Sequence, residues 1–99
     1  MYLVREVFHT KPGKTKELVN KFKQVAPYFE KNGMRDVKIM TDIASKYWTM
    51  VMEYKVENPG DFLSELREVT SRPEVKSHME GYMDLVEDGN REIFLIENS

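Results

Sequence analysis

The sequence contains no cysteine. Disulfides, thiolate nucleophiles and cysteine-ligated zinc are therefore excluded. No apolar run approaches the ~20 residues of a membrane-spanning helix, and no membrane partner is expected. No charge is in large excess, since 15 basic and 17 acidic residues leave a net charge of −2. Nucleic acid is not expected as a partner either, because it calls for a clustered surplus of Lys and Arg. Lys11, Lys14, Lys16, Lys21 and Lys23 do gather near the start of the first helical segment, but Glu17 and Glu30 dilute them into a solvated face. The spacings of a P-loop, a dinucleotide fingerprint, a Ser-His-Asp triad and an EF-hand are all missing. His9 and His78 stand far apart without a third ligand at a recognisable spacing, so no metal site is expected. The segment Met1-Tyr2-Leu3-Val4-Arg5-Glu6 meets charge at once, unlike a secretory signal. The expectation is a cytoplasmic protein.

What remains is 99 residues with 40% hydrophobic and 32% charged content. That suits one domain, 1–99, able to bury roughly two-thirds of its unfolded surface. Pro12-Gly13 and Pro59-Gly60 each follow an alternating apolar segment and precede an amphipathic helical one. The match predicts one strand–turn–helix–strand unit used twice.

Tyr2 to His9 predicts a strand with Tyr2, Val4 and Phe8 on one face and Leu3 and Val7 on the other, hence a central one. Leu18, Val19, Phe22, Val25, Ala26 and Phe29 predict a helix from about Lys14 to Lys31, with Pro27 as a kink or an early end and Asn32-Gly33 as the stop. A one-sided strand follows from Met34 or Arg35 to Ile43, with Val37, Ile39, Thr41 and Ile43 inward; it suits a sheet edge. Ala44-Ser45-Lys46 is short enough for a hairpin. Tyr47 to Val56 predicts a second central strand, with Trp48, Met50, Met52 and Tyr54 on one face and Tyr47, Thr49 and Val51 on the other. Asn58 or Asp61 caps a second helix bearing Phe62, Leu63, Leu66 and Val69. Ser71-Arg72-Pro73 interrupts it, and Val75, Met79, Tyr82, Met83 and Val86 resume a helical pattern. Asp88-Gly89-Asn90 gives a turn signal. Arg91 to Glu97 is the last strand. The order βαββαβ with right-handed crossovers predicts the ferredoxin-like α+β fold, a four-stranded antiparallel sheet with helices on one face. Apolar residues on both faces of the central strands then leave a patch on the uncovered face. A second copy packed sheet to sheet would bury it, so a homodimer is expected.

The candidate chemistry is sparse. Glu6 interrupts the row Tyr2, Val4, Phe8, and a carboxylate there must be paired, neutral or in a polar pocket. Its partner is Arg5 or Arg91 of a neighbouring strand, or His78 across the helix–sheet gap. A Glu6–His78 couple would serve acid/base chemistry; a packed His78 with a satisfied hydrogen bond is the plainer alternative. Glu53 admits the same two readings, and His9 is expected at the surface. Seven methionines are many for this length. Met40, Met50, Met52, Met79 and Met83 are either core or, with Phe22, Trp48, Tyr54 and Tyr82, the walls of an adaptable pocket.

Three segments carry a resemblance: Arg5-Glu6-Val7-Phe8-His9-Thr10-Lys11-Pro12-Gly13-Lys14, Met52-Glu53-Tyr54-Lys55-Val56-Glu57-Asn58-Pro59-Gly60, and Arg72-Pro73-Glu74-Val75-Lys76-Ser77-His78. Together they resemble the dimeric α+β barrel superfamily, in particular the small proteins related to antibiotic-biosynthesis monooxygenases and to NIPSNAP proteins. The resemblance implies a homodimer that binds an apolar or aromatic small molecule between helices and sheet. Any catalysis would be cofactor-independent oxygenation or proton transfer, with Glu6 and His78 as acid/base groups and Phe22, Trp48, Tyr54 and Tyr82 binding the ligand. A non-catalytic ligand-sensing or protein-interaction module of the same fold is the alternative. His78 also matches the helix position that binds heme iron in heme-degrading members. Glu6, however, falls where those members place an Asn, and their pocket Trp falls near Leu66, so the resemblance weighs against heme.

Overall fold

A computed structural model describes residues 1–98. Its elements are β1 (Tyr2–Thr10), α1 (Thr15–Lys31), β2 (Arg35–Thr41), β3 (Thr49–Val56), α2 (Pro59–Thr70), α3 (Pro73–Met79), a 3₁₀ turn (Tyr82–Leu85) and β4 (Val86–Leu95). The sheet is antiparallel in the order β2-β3-β1-β4. β1 and β3, expected as central from apolar residues on both faces, are central; β4 also carries apolar residues on both faces, Ile93 and Leu95 against Phe94, yet is an edge. The helices cover one face, as the ferredoxin-like pattern predicts.

Local chemistry explains where each element stops. Gly13 adopts φ +80°, a left-handed conformation that a side chain disfavours, and turns β1 into α1. α1 runs through the exposed Pro27 to Lys31. The missing proline N–H leaves a carbonyl without its helical partner, and Pro27 lies on the exposed side of the helix, open to solvent. Gly33, at φ +89°, ends the helix, and the Met34 N–H donates back to the Phe29 carbonyl at 3.2 Å. This is the wrapped C-terminus that glycine permits, and it delivers Met34 fully buried into the core. The Asn58 side chain caps α2 by accepting from the Gly60 N–H at 2.8 Å, with Pro59 in the first turn. Arg72 is extended ahead of Pro73, which separates α2 from α3.

Val4, Met50, Met52, Tyr54 and Val56 from the sheet meet Leu18, Phe22, Val25, Phe29, Phe62, Val69 and Val75 from the helices in one buried cluster. The opposite face carries Leu3, Val7, Val51, Met40 and Phe94. Across its middle Arg5 lies 3.6 Å from Glu53 and 3.7 Å from Glu92. Lys38 pairs in register with Glu53 and completes the charged row. His9 is half-buried on this same face, 3.1 Å from the Thr49 hydroxyl.

Three expectations need correction. Asp88-Gly89-Asn90 is not a turn: these residues lie inside β4 opposite His9, Phe8 and Val7. Gly89 is there because a Cβ would run into the Val7 carbonyl oxygen. Its small size serves close strand approach, so β4 starts at Val86 rather than Arg91. Trp48 does not share a strand face with Met50. It precedes β3 at φ +61°, so the alternation breaks before Thr49. The β2–β3 connection is accordingly longer than Ala44-Ser45-Lys46 and leaves Ile43 and Tyr47 99% and 84% exposed. Thr10 and Asp42 secure it, since the Thr10 N–H donates to the Trp48 carbonyl at 2.8 Å and the Thr49 N–H to the Asp42 carboxylate at 2.9 Å.

Gly89→Ala should lower stability by about 1–3 kcal/mol, the usual cost of overpacking, as read by urea unfolding. Gly13→Ala meets no such obstruction and should lose only its backbone preference, about 1 kcal/mol.

Candidate ligand cavity

Between the β1–β4 half of the sheet and the helices α2 and α3 lies a cavity of about 740 Å³. Its walls are apolar: Phe8, Phe22, Val25, Phe29, Met52, Leu66, Val75, Met79, Tyr82 and Val86. Phe22 stacks against Phe8 with ring centroids 5.1 Å apart and meets Tyr82 edge-on at 6.5 Å. Alternation along β1 puts Phe8 on the cavity side, and helical spacing along α1 puts Phe22, Val25 and Phe29 there.

Glu6 lies on the sheet wall of this cavity, only 8% exposed. Antiparallel pairing sets it opposite Arg91 on one side and Met52 on the other. Arg91 Nε donates to both carboxylate oxygens of Glu6, at 2.8 and 3.0 Å. The Tyr54 hydroxyl donates to the same carboxylate at 3.1 Å. Two neighbours thus compensate the carboxylate's lost hydration. The Arg91 guanidinium also lies 5.2 Å from the Phe62 ring centre, within cation–π range.

These contacts act on ionisation. Burial first, and then the negative charge of Glu6, push the Tyr54 hydroxyl well above its ordinary value of 10.0. The hydrogen bond to Glu6 pushes Arg91 up as well. Tyr54 is therefore held as a hydrogen-bond donor and Arg91 as a cation.

The sequence-derived residues divide. Glu6, Phe22 and Tyr82 line the cavity. Tyr54 is fully buried behind Glu6, between the Phe29 and Phe62 rings at 6.1 and 6.0 Å. His78 is half-buried and is not among the lining residues, so Glu6 and His78 are not brought together. On α3 the cavity takes Val75, Lys76 and Met79; helical rotation puts His78 on the opposite flank of Val75 from Lys76. Trp48 lies in a separate groove with Val19, Lys23 and Tyr47. Met79 and Met83 line the cavity with Met52, Met50 is core, and Met40 is on the open face. The histidine matched to iron ligation by the resemblance, His78, lies outside this lining. Arg67 and Lys76 line the cavity without having been singled out from the sequence. Their charge resembles that of any solvated helix face, and only the seating of α2 and α3 turns them toward the opening.

The fold is a ferredoxin-like α+β sandwich with a cavity under its helices. No protein-family model matches the sequence, and no curated protein matches it. Solved structures do share the fold. An uncharacterised NIPSNAP-domain protein from Burkholderia xenovorans superposes with a TM-score of 0.80 at 9% identity, covering 97% of this chain and 94% of that one. A NIPSNAP family protein of unknown function from Agrobacterium tumefaciens gives 0.81 at 13% identity, over 95% and 86%. A proposed antibiotic biosynthesis monooxygenase from Chloroflexus aurantiacus gives 0.76 at 12% identity, over 99% and 94%. The two groups named by the sequence resemblance are the groups whose fold the chain shares.

The raised Tyr54 carries a sign. Above pH 10 the unfolded chain gives up this proton and the folded chain keeps it. Stability is therefore intact below that pH and falls as pH rises beyond it, by up to about 1.4 kcal/mol per unit from this group. Tyr54→Phe should cost about 1–3 kcal/mol at neutral pH by stripping a donor from buried Glu6, and should flatten the alkaline decline. Urea unfolding between pH 8 and about 11 reads both effects.

Proposed function

We propose that the chain is a homodimeric small-molecule-binding protein that takes an apolar or aromatic ligand into the cavity between helices and sheet. The cavity itself supports this reading. Its volume of about 740 Å³ falls within the roughly 300–1,000 Å³ of small-molecule sites. An aromatic and methionine wall beside one fixed polar cluster is the usual composition of such a site. Phe22 and Tyr82 are the proposed ligand contacts. Glu6 is proposed to act through Arg91 and Tyr54, because its carboxylate already accepts from both.

A neutral apolar dye, N-phenyl-1-naphthylamine, tests this. The expected result is a saturable fluorescence rise with one site per chain, lost when Leu66→Trp fills the cavity. A rise that is non-saturable, or equal in the filled variant, discards the reading.

Cofactor-independent oxygenation in the same cavity is a second reading, favoured by the fold shared with the proposed monooxygenase from Chloroflexus aurantiacus. It requires a substrate electron-rich enough to reduce oxygen itself, since the lining includes no redox-active side chain beyond tyrosine and methionine. The protein's part would be to orient that substrate and exclude water.

The dimer belongs to the proposal through the open sheet face. Phe94 and Met40 are 47% and 38% exposed there, beside half-buried Leu3, Val7 and Val51. The charged row Glu92, Arg5, Glu53, Lys38 sums to zero, so two copies related by a two-fold axis can set opposite charges against each other. Arg5 Nε is buried there without a hydrogen-bond partner among the described residues. Sedimentation equilibrium at micromolar concentration should give about twice the 11.7 kDa chain mass. Val7→Lys should return it to the single-chain mass; a wild-type protein already at that mass would remove the dimer.

A further inference from the structure

We infer that the cavity selects a ligand carrying a carboxylate, received by the outer edge of the Arg91 guanidinium. This rests on the small-molecule reading above and specifies its ligand class. Arg91 spends only Nε on Glu6. Its two Nη atoms have no partner among the described residues, and its side chain remains 40% exposed on the cavity wall. The Nη edge offers two parallel N–H groups, the geometry that a planar carboxylate accepts. Glu6 and Tyr54 are positioning residues: the Nε–carboxylate contact and the Phe62 ring fix the plane of the guanidinium, and the Tyr54 hydroxyl fixes Glu6.

The charges around the opening agree. Arg67 and Lys76 line it from α2 and α3, and neither forms an ion pair among the described residues. Of the lining carboxylates, Glu6 is committed to Arg91. Asp88 is within ion-pair range of His9 and Lys46. Among the described residues, only Glu87 of the lining carboxylates stands without a cation. In a chain of net charge −2, the opening thus presents more unpaired positive than negative charge. An apolar wall facing such an edge fits an aromatic or aliphatic acid: the body packs on Phe22 and Met52, and the carboxylate reaches Arg91.

Paired isosteric probes test this. 1-Naphthoate and 1-naphthylmethanol share an apolar body and differ in charge. Calorimetric or NMR titration of the wild type should show naphthoate binding ~10-fold or more tighter, as charge-assisted hydrogen bonds are stronger than neutral ones. Arg91→Lys keeps a cation for Glu6 and hence the fold, but it lacks the Nη edge and should cut the preference to the ~2-fold that Lys76 supplies. Lys76→Gln should shrink the preference ~2-fold and weaken its salt dependence. Equal affinity for the two probes in the wild type overturns the carboxylate inference and leaves the cavity reading standing. Failure of both probes to bind overturns the two together. A preference that survives intact in Arg91→Lys overturns the assignment to Arg91.

Discussion

The pairing of Glu6 with Arg91 and Tyr54 is the constraint on which the cavity depends. A carboxylate midway along a central strand and under the helices would be prohibitively costly alone. Here it joins three strands, since Glu6 belongs to β1, Arg91 to β4 and Tyr54 to β3. Register is thereby tied to chemistry. A one-residue slip of β4 would send Arg91 to the opposite face and strand the carboxylate. The same pairing keeps polar groups within a wall that hydrophobic burial would otherwise make uniformly apolar.

Much of the fold was legible because period-two and helical patterns record burial directly. β1 displays both faces as Tyr2, Val4, Phe8 against Leu3, Val7, and it is central. β2 shows only one apolar face, and it is an edge. The misplaced features share a cause, a backbone that departs from the regular period. At Trp48 the left-handed conformation delays the start of the alternation to Thr49, two residues after the apolar sequence begins at Tyr47, and no composition rule announces it. At Gly89 the residue type signals a turn, while the reason for glycine is a neighbouring strand's carbonyl that local sequence cannot reveal.

The cavity was legible in outline rather than in detail. Glu6 was conspicuous as a charge in an apolar row, and antiparallel pairing left Arg91 among its few possible partners. His78 lost its place through phase. A seven-residue helix between a proline break and a 3₁₀ turn has its own rotation, which sets Val75, Lys76 and Met79 against the cavity and leaves His78 off it. Side chains fixed by sheet register could be anticipated; those fixed by the seating of short helices could not.

The two walls differ in how much they can change. The sheet wall carries Glu6, Met52 and Arg91 on paired strands, where a substitution disturbs register as well as shape. The opposite wall comes from α2 and α3, two short helices divided at Ser71-Arg72-Pro73, whose exposed Arg67, Thr70 and Lys76 face the opening. Mutational drift can proceed there without threatening folding. A lineage built on this architecture could retain the anchoring point and exchange the shape of what it admits, so ligand diversity would accumulate on the helical side while the strands stay recognisably alike.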